Sequence, residues 1–72
     1  MDSAGRIKIL RNKLGLNQDD FGKELGITKS SVSRLESNVS GLSERMAKSI
    51  CSTFNVNYFW LTEGQGEADR TF

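Results

Sequence analysis

The stretch QDDFGKELGITKSSVSRLE, residues 18–36, decides the fold. Its first half carries two apolar side chains four apart, Phe21 and Leu25, and stops at Gly26. Asn17 stands before it as an N-cap, and Asp19 and Asp20 put negative charge at the positive end of a helix dipole. After a short turn, Thr28 caps a second segment whose apolar anchors are Val32 and Leu35. Two short helices joined by a glycine-containing turn make a helix-turn-helix unit. The second helix must cross the first steeply, so a small residue is needed where the backbones meet, and Gly22 supplies it. The turn needs a residue tolerant of positive φ, which Gly26 is. The other inward positions, Phe21, Leu25, Ile27, Val32 and Leu35, are all apolar.

The second helix is otherwise poor in apolar residues, and its serines and threonine are only moderate helix formers. Successive residues turn by about 100°. With Lys29 at zero, Ser33 falls near 40°, Ser30 near 100° and Arg34 near 140° on that count. Val32 and Leu35 fall at about 300° and 240°, on the opposite side. The helix is therefore expected to be a platform presenting Lys29, Ser30, Ser33 and Arg34 outward. A recognition helix lying in the DNA major groove requires that arrangement. Arg34 is suited to a bidentate pair with guanine, Lys29 to guanine or phosphate, and the serines to either. The competing reading is an ordinary solvated polar face.

The rest of the chain is consistent with a small helical domain. Seventy-two residues make one domain near the lower limit for burying a core unaided. Apolar residues form 36% of the chain and recur at helical spacing, and there is no proline. Asp2 or Ser3 is placed to cap a first helix ending near Lys13, with Ile7, Leu10 and Leu14 inward and Gly15 as its stop. Ser43 opens a fourth helix with Met46, Ala47, Ile50 and Phe54 inward, and Asn57 caps a short fifth carrying Phe59, Trp60 and Leu61. The expected core is Ile7, Leu10, Leu14, Phe21, Leu25, Ile27, Val32, Leu35, Leu42, Met46, Ile50, Phe54, Val56, Trp60 and Leu61. The expectation is thus an all-α domain over residues 1–63, followed by a polar tail or linker, residues 64–72.

Composition also excludes function classes. With no histidine and one cysteine, Cys51, no metal site, cofactor or internal disulfide is expected. No paired catalytic constellation or glycine-rich phosphate loop is present, so the chain is not expected to be an enzyme. The absence of a long apolar run argues against a signal peptide or membrane span, and the expected location is cytoplasmic. The net charge is only +1, although residues 1–36 carry seven Lys/Arg against five Asp/Glu. Charge alone does not argue for nucleic acid.

The runs RIKILRNKLGLNQDDFGKELGITKSSVSRLE and ICSTFNVNYFWLTEGQGE resemble the phage-repressor and Cro-like helix-turn-helix family, also called the XRE family. The resemblance covers about residues 4–67 and implies a compact five-helix, lambda-repressor-like fold. It implies that Lys29, Ser30 and Arg34 read bases. It further implies that Gln18 touches phosphate and braces the recognition helix, and that Arg11 and Glu36 form a structural ion pair. The loop Asn38–Ser43 matches a phosphate-contacting segment. Asn17, Gln18, Thr28, Asn38, Ser40 and Arg45 are accordingly the expected phosphate contacts. Arg45 has a hint of its own, because a cation in a helix's first turn opposes the dipole unless a phosphate lies nearby. Gly22 is smaller than the alanine usual in the family, and Asn38 replaces a typical glycine.

These features lead to the expectation of a sequence-specific, DNA-binding transcription regulator, a repressor binding a pseudo-palindromic double-stranded operator as a homodimer. One module reads too few base pairs for genomic specificity. Tyr58 and Phe59 are candidates for the dimer surface. The chain is expected to be either a complete short regulator or the DNA-binding piece of a longer repressor. The rival expectation is a protein-interaction module of the same fold, antitoxin-like or a repressor partner, that does not read DNA. The near-neutral charge favours it.

Overall fold

The computed structural model describes residues 2–37 and 41–64. The expected contacts Asn38 and Ser40, and the expected tail beyond Gly64, lie outside the described residues. Five helices follow in order: α1 (Ser3–Lys13), α2 (Gln18–Leu25), α3 (Lys29–Glu36), α4 (Glu44–Phe54) and α5 (Tyr58–Glu63).

Each helix begins where a side chain can satisfy an orphan amide. Asp2 accepts from Gly5 N–H, Asn17 from Asp20, Thr28 from Ser31, Ser43 from Met46, and Asn57 from Phe59 and Trp60. The α2 end is closed by Gly26 at φ 74°. There the Ile27 N–H reaches the Gly22 carbonyl at 2.9 Å and the Gly26 N–H reaches the Lys23 carbonyl at 3.3 Å, a Schellman closure. Asparagine takes the same left-handed role after α4, where Asn55 has φ 57°.

The helices wrap one core. Ile7, Leu10, Phe21, Val32, Leu35, Ile50, Val56 and Leu61 are buried, together with Ala4 and Ala47. Phe21 of α2 and Phe54 of α4 stack with ring centroids 4.8 Å apart and planes 11° from parallel. Seven residues of the expected core, Leu14, Leu25, Ile27, Leu42, Met46, Phe54 and Trp60, are only partly buried and pack around this centre. A domain this small has more rim than interior, so helix-facing side chains near its ends stay half in water. Leu14 shows the effect: it sits beyond the last turn of α1 as the C-cap.

One buried residue is a cation. Arg6 is 8% exposed, and its Nε donates to the Leu61 carbonyl at 2.8 Å while Nη2 donates to the Thr62 carbonyl at 3.3 Å. The guanidinium thus satisfies the last carbonyls of α5, at the negative end of that helix. Ser3 adds a hydroxyl donor to the Thr62 carbonyl at 3.5 Å. The first and last helices are joined by these bonds.

Candidate nucleic-acid interface

The unit formed by α2 and α3 is held in two ways. Along its inner side, Val32 and Leu35 of α3 are buried against Phe21 and its neighbours. At the crossing, the backbone of α2 at Gly22 meets the turn so closely that a Cβ there would lie 2.7 Å from the Ile27 carbonyl oxygen.

The outward side of α3 carries three exposed candidates, Lys29, Ser30 and Arg34. Ser33 is half-buried rather than fully outward. Its carbonyl accepts both the N–H of Ser37, at 3.0 Å, and the Ser37 hydroxyl, at 2.8 Å, which closes the helix. At the start of α3, Thr28 Oγ1 accepts from the Ser31 N–H at 3.1 Å and donates to Ser31 Oγ at 3.0 Å. The Ser31 hydroxyl keeps a proton to donate elsewhere.

Behind α3 lies a polar cluster built on one carboxylate. Arg11 Nε donates to Glu36 Oε2 at 2.6 Å and its Nη2 to Glu36 Oε1 at 3.1 Å, a bidentate pair. The two side chains are 13% and 5% exposed. Arg11 Nη1 also donates to the Leu16 carbonyl at 3.0 Å, tying the α1–α2 turn into the cluster. Gln18 Nε2 donates to Glu36 Oε1 at 3.3 Å, so the first residue of α2 is fastened to the last residue of α3. The hydrogen bonds to Glu36 hold the Arg11 guanidinium above its ordinary value despite the opposing effect of burial. An arginine in that setting is permanently charged.

The other candidates are distributed around this centre. Asn17 is exposed, but its side-chain oxygen is committed to the Asp20 N–H at 2.7 Å. Its free amide hydrogens are what it can offer outward. Arg45 is exposed on the first turn of α4, beside Glu44 and Lys48, whose own ion pair spans 3.0 Å. Gly41 and Ser43 lead into α4 and, with Ile27, Ser31, Arg34, Leu35 and Met46, line a cleft of about 380 Å³ between α3 and α4. Arg34 forms one wall of it, which brings α3 and the α4 entry to one surface.

Sequence reasoning missed Ser31 and the cleft. The Ser31 signal was present, three residues after the cap Thr28, the spacing at which a second side chain meets the cap. The cleft depends on how α4 returns to α3 and leaves no local mark. Among the described residues, no group of Cys, Asp and Glu is placed to hold a metal ion, and no helix is long and apolar enough to cross a membrane. Burial pushes the Cys51 thiol up, which disfavours the reactive thiolate.

Fold and surface together define a helix-turn-helix domain. A helix-turn-helix family model matches residues 7–61, and the chain belongs to that family. It is 40% identical over 52 residues, 72% of its length, to the antitoxin PezA of Streptococcus pneumoniae. The matched part is 33% of PezA, so the chain spans about a third of that curated relative. Its fold is similar to the P22 c2 repressor in a crystal structure with a synthetic operator. There the TM-score is 0.81 at 20% identity, covering 90% of this chain and 98% of the repressor chain.

Proposed function

We propose that this chain binds operator DNA sequence-specifically and represses transcription, working as a homodimer on a pseudo-palindromic double-stranded site in the cytoplasm. The observation that carries the reading is the division of α3. Its anchors Val32 and Leu35 are buried, while Lys29, Ser30 and Arg34 stand exposed on a helix locked at both ends. On this reading Lys29, Ser30, Ser33 and Arg34 read base edges in the major groove. Asn17, Gln18, Thr28, Asn38, Ser40 and Arg45 contact phosphate, and the Arg11–Glu36 pair keeps α3 in register. Residues 1–63 form the DNA-binding domain and 64–72 its polar tail. Repression follows physically if the dimer occupies a site that polymerase needs.

The test is selection of binding sites from randomised duplex DNA by the purified 72-residue chain. An enriched inverted repeat with half-sites about one helical turn apart is the expected result. A single unrepeated half-site would remove the homodimer from the proposal. No enrichment would remove DNA reading altogether.

A second reading keeps the fold but gives it a protein partner. The near-neutral charge and the likeness to an antitoxin favour it. It predicts no salt-sensitive retention on non-specific DNA, whereas phosphate binding falls steeply with salt.

A further inference from the structure

The cleft between α3 and α4 enters the proposed reading only through Arg34. Its floor is apolar: Leu35 is buried, and Ile27 and Met46 are half-buried against the core. Ser31 and Arg34 reach it from α3, and Gly41 and Ser43 from the entry into α4.

The polar groups of the lining share one character. The Ser31 hydroxyl accepts from Thr28 Oγ1 at 3.0 Å, and the Ser43 hydroxyl accepts from the Met46 N–H at 3.1 Å. Each spends an acceptor lone pair inside the protein and keeps its own proton to donate. Arg34 adds a guanidinium, which is always charged and only donates. No Asp or Glu lines the cleft among the described residues. Three donors, one of them cationic, over an apolar floor suit an anion that carries hydrocarbon. A bare inorganic anion would leave the floor unused. A phosphate monoester would bring nearly two charges to one cation, whereas a carboxylate brings one and matches the guanidinium fork. At about 380 Å³ the cleft is at the small end of ligand pockets, so the hydrocarbon is short. Met46, unbranched and flexible, can adapt to its shape.

We propose that this cleft binds a small monocarboxylic acid with an apolar body, and that the bound acid competes with DNA for Arg34. The competition rests on the DNA reading proposed above; the binding does not. A guanidinium forked onto a carboxylate in the cleft is not available to present the same fork to a guanine edge.

The probe is phenylbutyrate, titrated into the isotope-labelled 72-residue chain and followed by amide NMR. Its neutral amide supplies the hydrocarbon without the charge, and acetate the charge without the hydrocarbon. Saturable shifts at Ile27, Ser31, Leu35 and Met46 are expected, with a Kd on the order of 1 mM for so small a ligand. The amide and acetate should each bind at least about tenfold more weakly. Ser31→Ala should weaken the acid about three- to tenfold, and Arg34→Gln about tenfold. The spectrum itself reports whether each variant is folded, and the comparison of acid, amide and acetate on wild type needs neither. Equal binding of acid and amide, shifts scattered over the whole surface, or no saturation by about 20 mM overturns the site. So does a folded Arg34→Gln domain that binds the acid like wild type. Competition is then read on the selected duplex, in buffers matched in salt with sodium acetate. At about ten times its Kd, phenylbutyrate should weaken DNA binding by about tenfold per protomer, and the amide should not. Undiminished DNA affinity overturns the competition. If wild type enriches no sequence, the DNA reading fails and the competition with it, while the titration decides the cleft by itself.

Discussion

At the scale of single residues, Gln18 and Arg34 sit in one small region yet should fail differently when removed. Gln18 spends one amide hydrogen on Glu36 and has a second available for a phosphate oxygen. A phosphate contact carries no sequence information. Gln18→Ala should therefore weaken the preferred site and its single-base variants by a similar factor, about three- to tenfold for one lost hydrogen bond. Arg34→Ala should instead cut discrimination at its base pair by about 1–3 kcal/mol. Titration of both variants against the selected site and its point-mutated versions separates the two. If Arg34→Ala kept full discrimination, Arg34 would not be a reading residue.

Among the elements, α3 depends on tertiary support. Its eight residues include three serines, and its two buried side chains supply its packing. The Arg11–Glu36 pair should matter more than a surface bridge such as Lys23–Asp19, which spans 3.5 Å between largely exposed side chains. Removing Glu36 leaves a largely buried guanidinium without its carboxylate, so Glu36→Ala is expected to cost about 3 kcal/mol or more of unfolding free energy. Replacing both members with Arg11→Met and Glu36→Leu removes the stranded charge and should cost clearly less. Denaturant unfolding of the three variants decides it: a double variant no more stable than Glu36→Ala would refute the desolvation argument. The helices were legible in the sequence because their determinants are local. Asp2, Asn17, Thr28, Ser43 and Asn57 each lie directly before the helix they cap. Arg6 was not legible, since its carbonyl partner Leu61 is 55 residues away and no spacing rule links them. The half-burial of Ser33 was not legible either, since a helical wheel cannot say where a neighbouring helix ends its cover.

For the molecule as a whole, charge is the distinctive quantity. The proposed interface contains the exposed cations Lys29, Arg34 and Arg45 in each protomer, and Asp19 and Asp20 are exposed beside Gln18. The remaining expected contacts are amides and hydroxyls. A dimer neutralising about six phosphates with these cations should lose affinity with a slope of about −5 in log K against log salt. The slope follows from operator titrations over a salt series. A slope steeper than about −8 would mean that further cations on α1 or α2 face the DNA. The polar face of α3 was readable in outline, because an exposed polar stripe opposite two apolar anchors shows at helical spacing. Its depth was not, since the closeness of α3 to α2 is a backbone distance at Gly22.

The Arg6 guanidinium, lodged under the last carbonyls of α5, has a consequence for the order in which the domain comes apart. A six-residue helix on its own would unravel readily from its C-terminal end. Here unravelling would strip a buried cation of its acceptors before water could reach it, which raises the cost of the first step. The last helix is thereby coupled to the first, and its amides should open with the body of the domain rather than ahead of it.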